Sequence, residues 1–161
     1  GLQTARIPGR FERVQSEPGI VLDGAHNPQK MAALAADLRN WKDDHRSNRL
    51  IVVVGVLESK QHEAMLAELA VVADEIVTTS PRVLAKPGAS GHALAVAARE
   101  QGFAGPITAI GDPTDALDAA TRSAGPGDRV VVTGSLYLVG NVRSRWYPDD
   151  RIVAQRTPWP G

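Results

Sequence analysis

The chain has 161 residues, 43% of them hydrophobic and 22% charged, with 18 basic and 18 acidic side chains and no cysteine. That length suits one substantial core rather than two, and the neutral balance lacks the broad positive field of a non-specific nucleic-acid or anionic-membrane binder. Without thiols there is no disulfide framework, thiolate nucleophile or cysteine-ligated metal, a usage that suits a reducing compartment.

Gly1 to Gly9 has neither the basic start nor the apolar stretch of a signal peptide. It also lacks an initiating Met, so the sequence reads as a piece of a longer or processed polypeptide. Arg10 to Gln15, where Phe11 and Val14 flank charged residues, suits an edge strand. Ile20-Val21-Leu22-Asp23 is an apolar strand ending in acid, followed by Gly24-Ala25-His26-Asn27-Pro28. Asn27 can cap a helix whose first position Pro28 tolerates, because the missing N–H has no intrahelical partner there. Met31, Leu34, Ala35, Leu38 and Trp41 then repeat one helical face, and Asp43 to Asn48 is a charged connection.

Leu50 to Val54 is a buried-strand pattern far too short to cross a bilayer. Beyond Gly55 to Lys60, a helix carries Met65, Leu66, Leu69 and Val72. Glu75 to Thr79 is the next strand, a Pro/Gly stretch reaches Ser90, and Leu94, Ala97 and Ala98 mark another helix. Pro106 to Ile110 is a strand, and Asp112-Pro113 again joins a cap to a first-turn proline, ahead of Ala116, Leu117 and Ala120. Arg129 to Thr133 is the last strand, with a final helix from near Ser135. Five successive strand-to-helix units with near-continuous apolar strands predict a three-layer, Rossmann-like α/β fold. Its sheet is mostly parallel, with one antiparallel edge strand and helices on both faces. Residues 1–147 form the predicted domain and 148–161 an irregular tail; the basic and aromatic segment around Arg143, Arg145, Trp146 and Tyr147 reads as solvated.

Strand carboxyl ends of such a sheet share one rim, where helix starts present N–H groups to anions. The rim collects Asp23, His26 and Asn27; Ser59 and Lys60; Ser80 and Arg82; Asp112; and Thr133, Gly134 and Ser135. Each has a structural and a ligand-binding reading. Asp23 can close a turn or accept a ribose hydroxyl, His26 can fill a polar niche or contact a nucleotide, and Ser135 can cap a helix or hold a carboxylate. Arg10, after Pro8-Gly9, is either a solvated edge residue or a two-donor phosphate clamp. Lys60 is a surface lysine or a carboxylate partner, and Arg82 and Lys86 bracket what reads as a solvated turn. The four histidines lack metal-ligand spacing, so no metal site is predicted. The chain contains no G-x-G-x-x-G, no G-x-x-x-x-G-K-[ST] and no G-x-S-x-G motif.

Taken in order, Ile-Pro-Gly-Arg-Phe (7 to 11), Leu-Asp-Gly-Ala-His-Asn-Pro (22 to 28), Gly-Val-Leu-Glu-Ser-Lys (55 to 60), Ser-Pro-Arg (80 to 82) and Thr-Gly-Ser-Leu-Tyr-Leu-Val-Gly (133 to 140) resemble a known family. It is the carboxyl-terminal domain of folylpolyglutamate synthase, also dihydrofolate synthase in bacteria, within the Mur ligase superfamily. The resemblance implies a cytoplasmic, ATP- and Mg2+-dependent amide ligase of folate biosynthesis and one-carbon metabolism. ATP activates a folate carboxylate as an acyl phosphate, and the amine of L-glutamate displaces phosphate. It further implies that Arg10 contacts ATP phosphate, that Asp23 and His26 hold the nucleotide, and that Arg10 and His26 serve the chemistry. Lys60, Ser135 and Arg82 would meet the glutamate substrate. A P-loop domain of the same polypeptide would supply most magnesium and folate contacts, leaving the isolated domain inactive, with neither nucleic acid nor membrane as partner. Two departures stand out: Ser59-Lys60-Gln61 replaces a frequent Asp-Lys-Asp, and Val83 to Gly91 differs from the usual continuation after Pro-Arg. Another Mur-type amino-acid ligase and a diverged non-catalytic binding domain are the alternatives.

Overall fold

The computed structural model describes residues 7–44, 48–58 and 60–148. Its strands are β1 (Glu12–Ser16), β2 (Gly19–Leu22), β3 (Leu50–Val54), β4 (Glu75–Thr78), β5 (Ile107–Ala109) and β6 (Arg129–Thr133). The helices are α1 (Pro28–Asp44), α2 (His62–Ala70), α3 (Gly91–Glu100), α4 (Pro113–Ser123) and α5 (Leu136–Arg143). Each strand from β2 onward is followed by a helix, as the sequence predicts. Among the described residues no helix is long and apolar enough to cross a membrane.

The strands form one sheet in the order β1-β2-β6-β3-β4-β5, with β1 antiparallel to β2 and every other pairing parallel. Alternation along a strand assigns its side chains to opposite faces. Leu50, Val52 and Val54 of β3 enter one core with Leu34, Leu38, Met65, Leu69 and Leu94, which places α1, α2 and α3 on that face. Ile51 and Val53 enter the other core with Leu117, Leu138 and Val142, under α4 and α5. At roughly 1.5 to 3 kcal/mol for each fully buried large aliphatic side chain, these two apolar layers dominate the stabilisation.

Local signals start the helices as expected. Asn27 Oδ1 accepts from Lys30 N at 2.8 Å, and Asp112 Oδ1 accepts from Thr114 N and Asp115 N at 2.8 and 3.0 Å. The edges are polar or short: β1 has buried Glu12 beside exposed Arg13, and β5, shorter than Pro106 to Ile110, is largely exposed.

The carboxyl-terminal segment corrects one expectation. Arg143 is buried rather than solvated, donating from Nε and Nη2 to the two carboxylate oxygens of buried Glu12 at 3.1 and 2.8 Å. Arg145 does lie at the surface, paired with Asp118. The tail predicted over 148–161 lies, beyond Pro148, outside the described residues, as does Ser59.

Candidate functional site

The order of the strands fixes where a site can form. The chain runs from β2 to β3 to β4 to β5 and then returns to insert β6 between β2 and β3. Helices α1 and α2 therefore leave the rim on one face while α5 leaves on the other, opening the crevice that open α/β sheets offer to ligands. Thr133, Gly134 and Ser135 lie at the centre of this switch. Gly134 has φ +105°, and a Cβ there would stand 2.5 Å from the Gly55 carbonyl oxygen, so glycine lets the ends of β3 and β6 close together.

Two cavities adjoin along the rim. The first, about 460 Å³, is lined by Gly9, Arg10, Asp23, His26, Lys30 and Asp37 among others. Its arginine sits on a turn held from several directions. Gly9 N donates to Glu12 Oε2 at 2.9 Å, Gly24 N to the Gly9 carbonyl at 2.7 Å, and Phe11 N to Asp23 Oδ2 at 2.8 Å. Phe11 has φ +43°, a left-handed conformation that a bulky residue adopts only where its surroundings impose it. Here the Asp23 bond and an edge-to-face contact with Trp41, centroids 5.7 Å apart, do so. The Arg10 side chain is exposed and belongs to no ion pair among the described residues.

Asp23 Oδ1 also accepts from Ala25 N at 2.8 Å, so each carboxylate oxygen already ties down backbone. Burial pushes the Asp23 carboxyl above its ordinary value. The bonds from Phe11 and Ala25 oppose that rise without cancelling it, while Asp37 adds to it and Arg10 reduces it. His26 sets its Nδ1 2.7 Å from the Gly24 carbonyl. A carbonyl only accepts, so the proton resides on Nδ1. The Nε2 of the neutral ring is then an acceptor, 3.4 Å from the donating Lys30 ammonium. In this tautomer the cationic donors that line the chamber are Arg10 and Lys30.

The second cavity, about 170 Å³, is lined by His26, Leu57, Lys60, Lys86, Ser135 and Tyr137, with Gly134 and Leu136. The structure thus brings His26, Lys60 and Ser135 together and makes His26 the wall between the two chambers. Ser135 is buried, and its Oγ caps α5 by accepting from Tyr137 N at 3.1 Å, a bond that does not use its own hydroxyl proton. Arg82 stands apart: its Nη1 donates to Asp112 Oδ2 at 2.9 Å, and its backbone N and O exchange bonds with the Asn141 amide at 2.9 and 3.1 Å. Two lysines outside the sequence-predicted set also line these cavities, Lys30 the first and Lys86 the second. Lys30 lies one helical turn beyond His26 and carries a local signal, whereas Lys86 reaches the rim only through the tertiary fold.

The chain matches the family described as Mur ligase, glutamate ligase domain, over residues 9–136. It belongs to that family. It is 37% identical to a probable bifunctional folylpolyglutamate synthase/dihydropteroate synthase of Haloferax volcanii, over 98% of this chain and 17% of that protein. Among solved structures, the folylpolyglutamate synthase of Mycobacterium tuberculosis complexed with ADP superposes with a TM-score of 0.78 at 31% identity, covering 89% of this chain and 33% of that one. E. coli FolC in complex with DHPP and ADP gives a TM-score of 0.76 at 27% identity, covering 96% and 33%. The chain therefore spans a third or less of the length of each of these relatives.

Proposed function

We propose that the chain is the amino-acid-binding domain of an ATP-dependent amide ligase that adds L-glutamate to folates. One observation carries the reading: His26, Lys60 and Ser135, from the ends of three neighbouring strands, converge on one cavity, and His26 also lines the chamber of Arg10 and Asp23. Two adjoining chambers rich in N–H and ammonium donors suit two anions that must meet, a nucleotide phosphate and an amino-acid carboxylate.

ATP, held between this rim and a P-loop domain of the same polypeptide, supplies the phosphoryl group that activates the folate carboxylate. Arg10 grips phosphate oxygens with two parallel donors, and Asp23 keeps the Arg10 turn against the sheet. His26, accepting from Lys30, aims that ammonium at the same anion. Lys60 and the Ser135 hydroxyl, with the N–H groups of the α5 start, hold a glutamate carboxylate so that the amine faces the activated carbon. Arg82 acts indirectly, fixing the loop that leads to Lys86. In this reading magnesium enters with the nucleotide, on ligands that the P-loop domain supplies. Residues 1–147 make up the ligase domain in this reading, 148–161 its tail, and the cytoplasm, which supplies ATP and folates, its compartment.

The test is glutamate-dependent phosphate release by the polypeptide that joins this domain to its P-loop partner. Arg10→Ala is expected to lower turnover. Lys60→Ala is expected to raise the glutamate KM about 10-fold with kcat largely kept, the signature of lost ground-state binding. Unchanged kinetics in both variants reject the assignment, and faster release with a different amino acid rejects glutamate as the substrate.

A further inference from the structure

Lys60 and Lys86 lie on different loops, yet those loops are joined. Leu57 and Gly88 form an antiparallel bridge, Glu58 N donates to the Pro87 carbonyl at 3.0 Å, and Ala89 N donates to the Val56 carbonyl at 2.9 Å. Gly88 is packed so closely that a Cβ would meet Ser80 Oγ at 2.6 Å and the Pro81 carbonyl at 2.8 Å. The backbone that bears the two ammonium groups is therefore a built scaffold, although the side chains themselves are exposed.

The Lys86 ammonium stands 5.6 Å from the centroid of the Tyr137 ring and 3.4 Å from its hydroxyl. The backbone of Tyr137 is in turn fixed by its N–H bond to Ser135 Oγ. A neutral phenol hydroxyl positions the ammonium and leaves its charge uncompensated. Among the described residues that line the cavity there are two ammonium groups and no carboxylate. The sequence neighbours of Lys60 add none, being Ser59 and Gln61. A single carboxylate would leave half of that charge unmatched, whereas two carboxylates on one short molecule match both.

We propose that Lys86, held by Tyr137, is the specificity-determining residue that reads the side-chain carboxylate of a dicarboxylic amino acid, while Lys60 and Ser135 hold its α-carboxylate. This rests on the reading of the cavity as the amino-acid site. It makes the preference for an acidic substrate a property of Lys86 in the loop after β4.

The experiment is a titration of the isotopically labelled chain with L-glutamate and, in parallel, L-glutamine, its uncharged counterpart, followed by amide chemical shifts. The expected result is at least about fivefold tighter binding of glutamate, equivalent to roughly 1 kcal/mol, with shifts at Gly134, Leu136 and Tyr137. Lys86→Ala, at an exposed position, is expected to bring the two ligands within twofold of each other while glutamine binding is kept. Lys86→Arg should retain the preference, and Lys60→Ala should weaken both ligands alike. A Lys86→Ala variant that still prefers glutamate, with Lys60→Ala weakened, overturns the role of Lys86 and leaves the amino-acid site standing. Absence of glutamate-induced shifts at the cavity in the unaltered chain overturns both.

Discussion

At the amino-end edge of the sheet, Arg49 donates to Asp128 from Nε and Nη2 at 3.1 and 2.9 Å, to Glu75 from Nη1 at 3.1 Å and to the Ser123 carbonyl at 2.6 Å. At the carboxyl-end edge, by contrast, none of the ion pairs among the described residues involves Arg10, Lys30, Lys60 or Lys86. Both edges face the same design constraint, strand ends that need polar partners. One meets it with charges that complete each other inside the chain, and the other leaves cations on a backbone that is already satisfied. The difference separates charges that are matched inside the fold from charges that stand uncompensated at its rim.

The largest expected effect lies beneath the carboxyl-end edge, where Glu12 joins Arg143 to the turn that carries Arg10. Arg143→Met leaves a buried carboxylate without its cation, and a cost of about 3 to 5 kcal/mol in urea unfolding is expected. A cost below about 1 kcal/mol would show that the pair contributes little. Next comes Asp128→Ala at the opposite edge, which removes hydrogen bonds to Arg49 and to Gly125 N. About 2 to 3 kcal/mol is expected by the same measurement, and a loss no larger than that of a surface substitution would erase the contrast between the edges.

Acid sharpens the comparison in sign. Burial pushes the Asp128 carboxyl up, but hydrogen bonds from Gly125 and Arg49 outweigh it and hold the group below its ordinary value. Asp112 is likewise lowered, chiefly by its backbone bonds from Asp115 and Thr114. A lowered folded pKa gives stability that is present above the unfolded value and is lost as pH falls through the folded one. Asp23, raised by burial, works the other way, and its share is lost as pH rises through its folded value. Asp128→Asn should therefore flatten the acid limb of a stability-against-pH curve, and Asp23→Asn should not. An unaltered limb in Asp128→Asn would refute the linkage. The smallest effect belongs to the ligand side: Lys60→Ala is expected to change unfolding free energy by no more than about 0.5 kcal/mol while its glutamate binding falls, so a large stability loss would mark Lys60 as structural.

Much of this architecture was legible in the residues because local chemistry sets it. The β-branched run of β3 and the Asn27 and Asp112 caps each declare themselves within a few positions. The rim was legible for the same reason, since parallel strands bring their carboxyl ends to one side. Glu12 and Arg143 were not, because their partners lie 131 positions apart and each alone resembles a surface charge. Lys86 was hidden similarly: its place depends on the Leu57–Gly88 bridge, which no periodicity announces. Arg82 sat in a recognisable motif, but its bond to Asp112, 30 positions on, is a tertiary feature that the motif does not announce.

The two backbone bonds to Asp23 also have a mechanical meaning. By fastening Phe11 N on one side and Ala25 N on the other, a single carboxylate rivets the Arg10 turn to the end of β2. The guanidinium thus rides on the sheet rather than on a hinge of its own, and any swing of this body toward a neighbouring one delivers that positive tip by the full arc of the rotation.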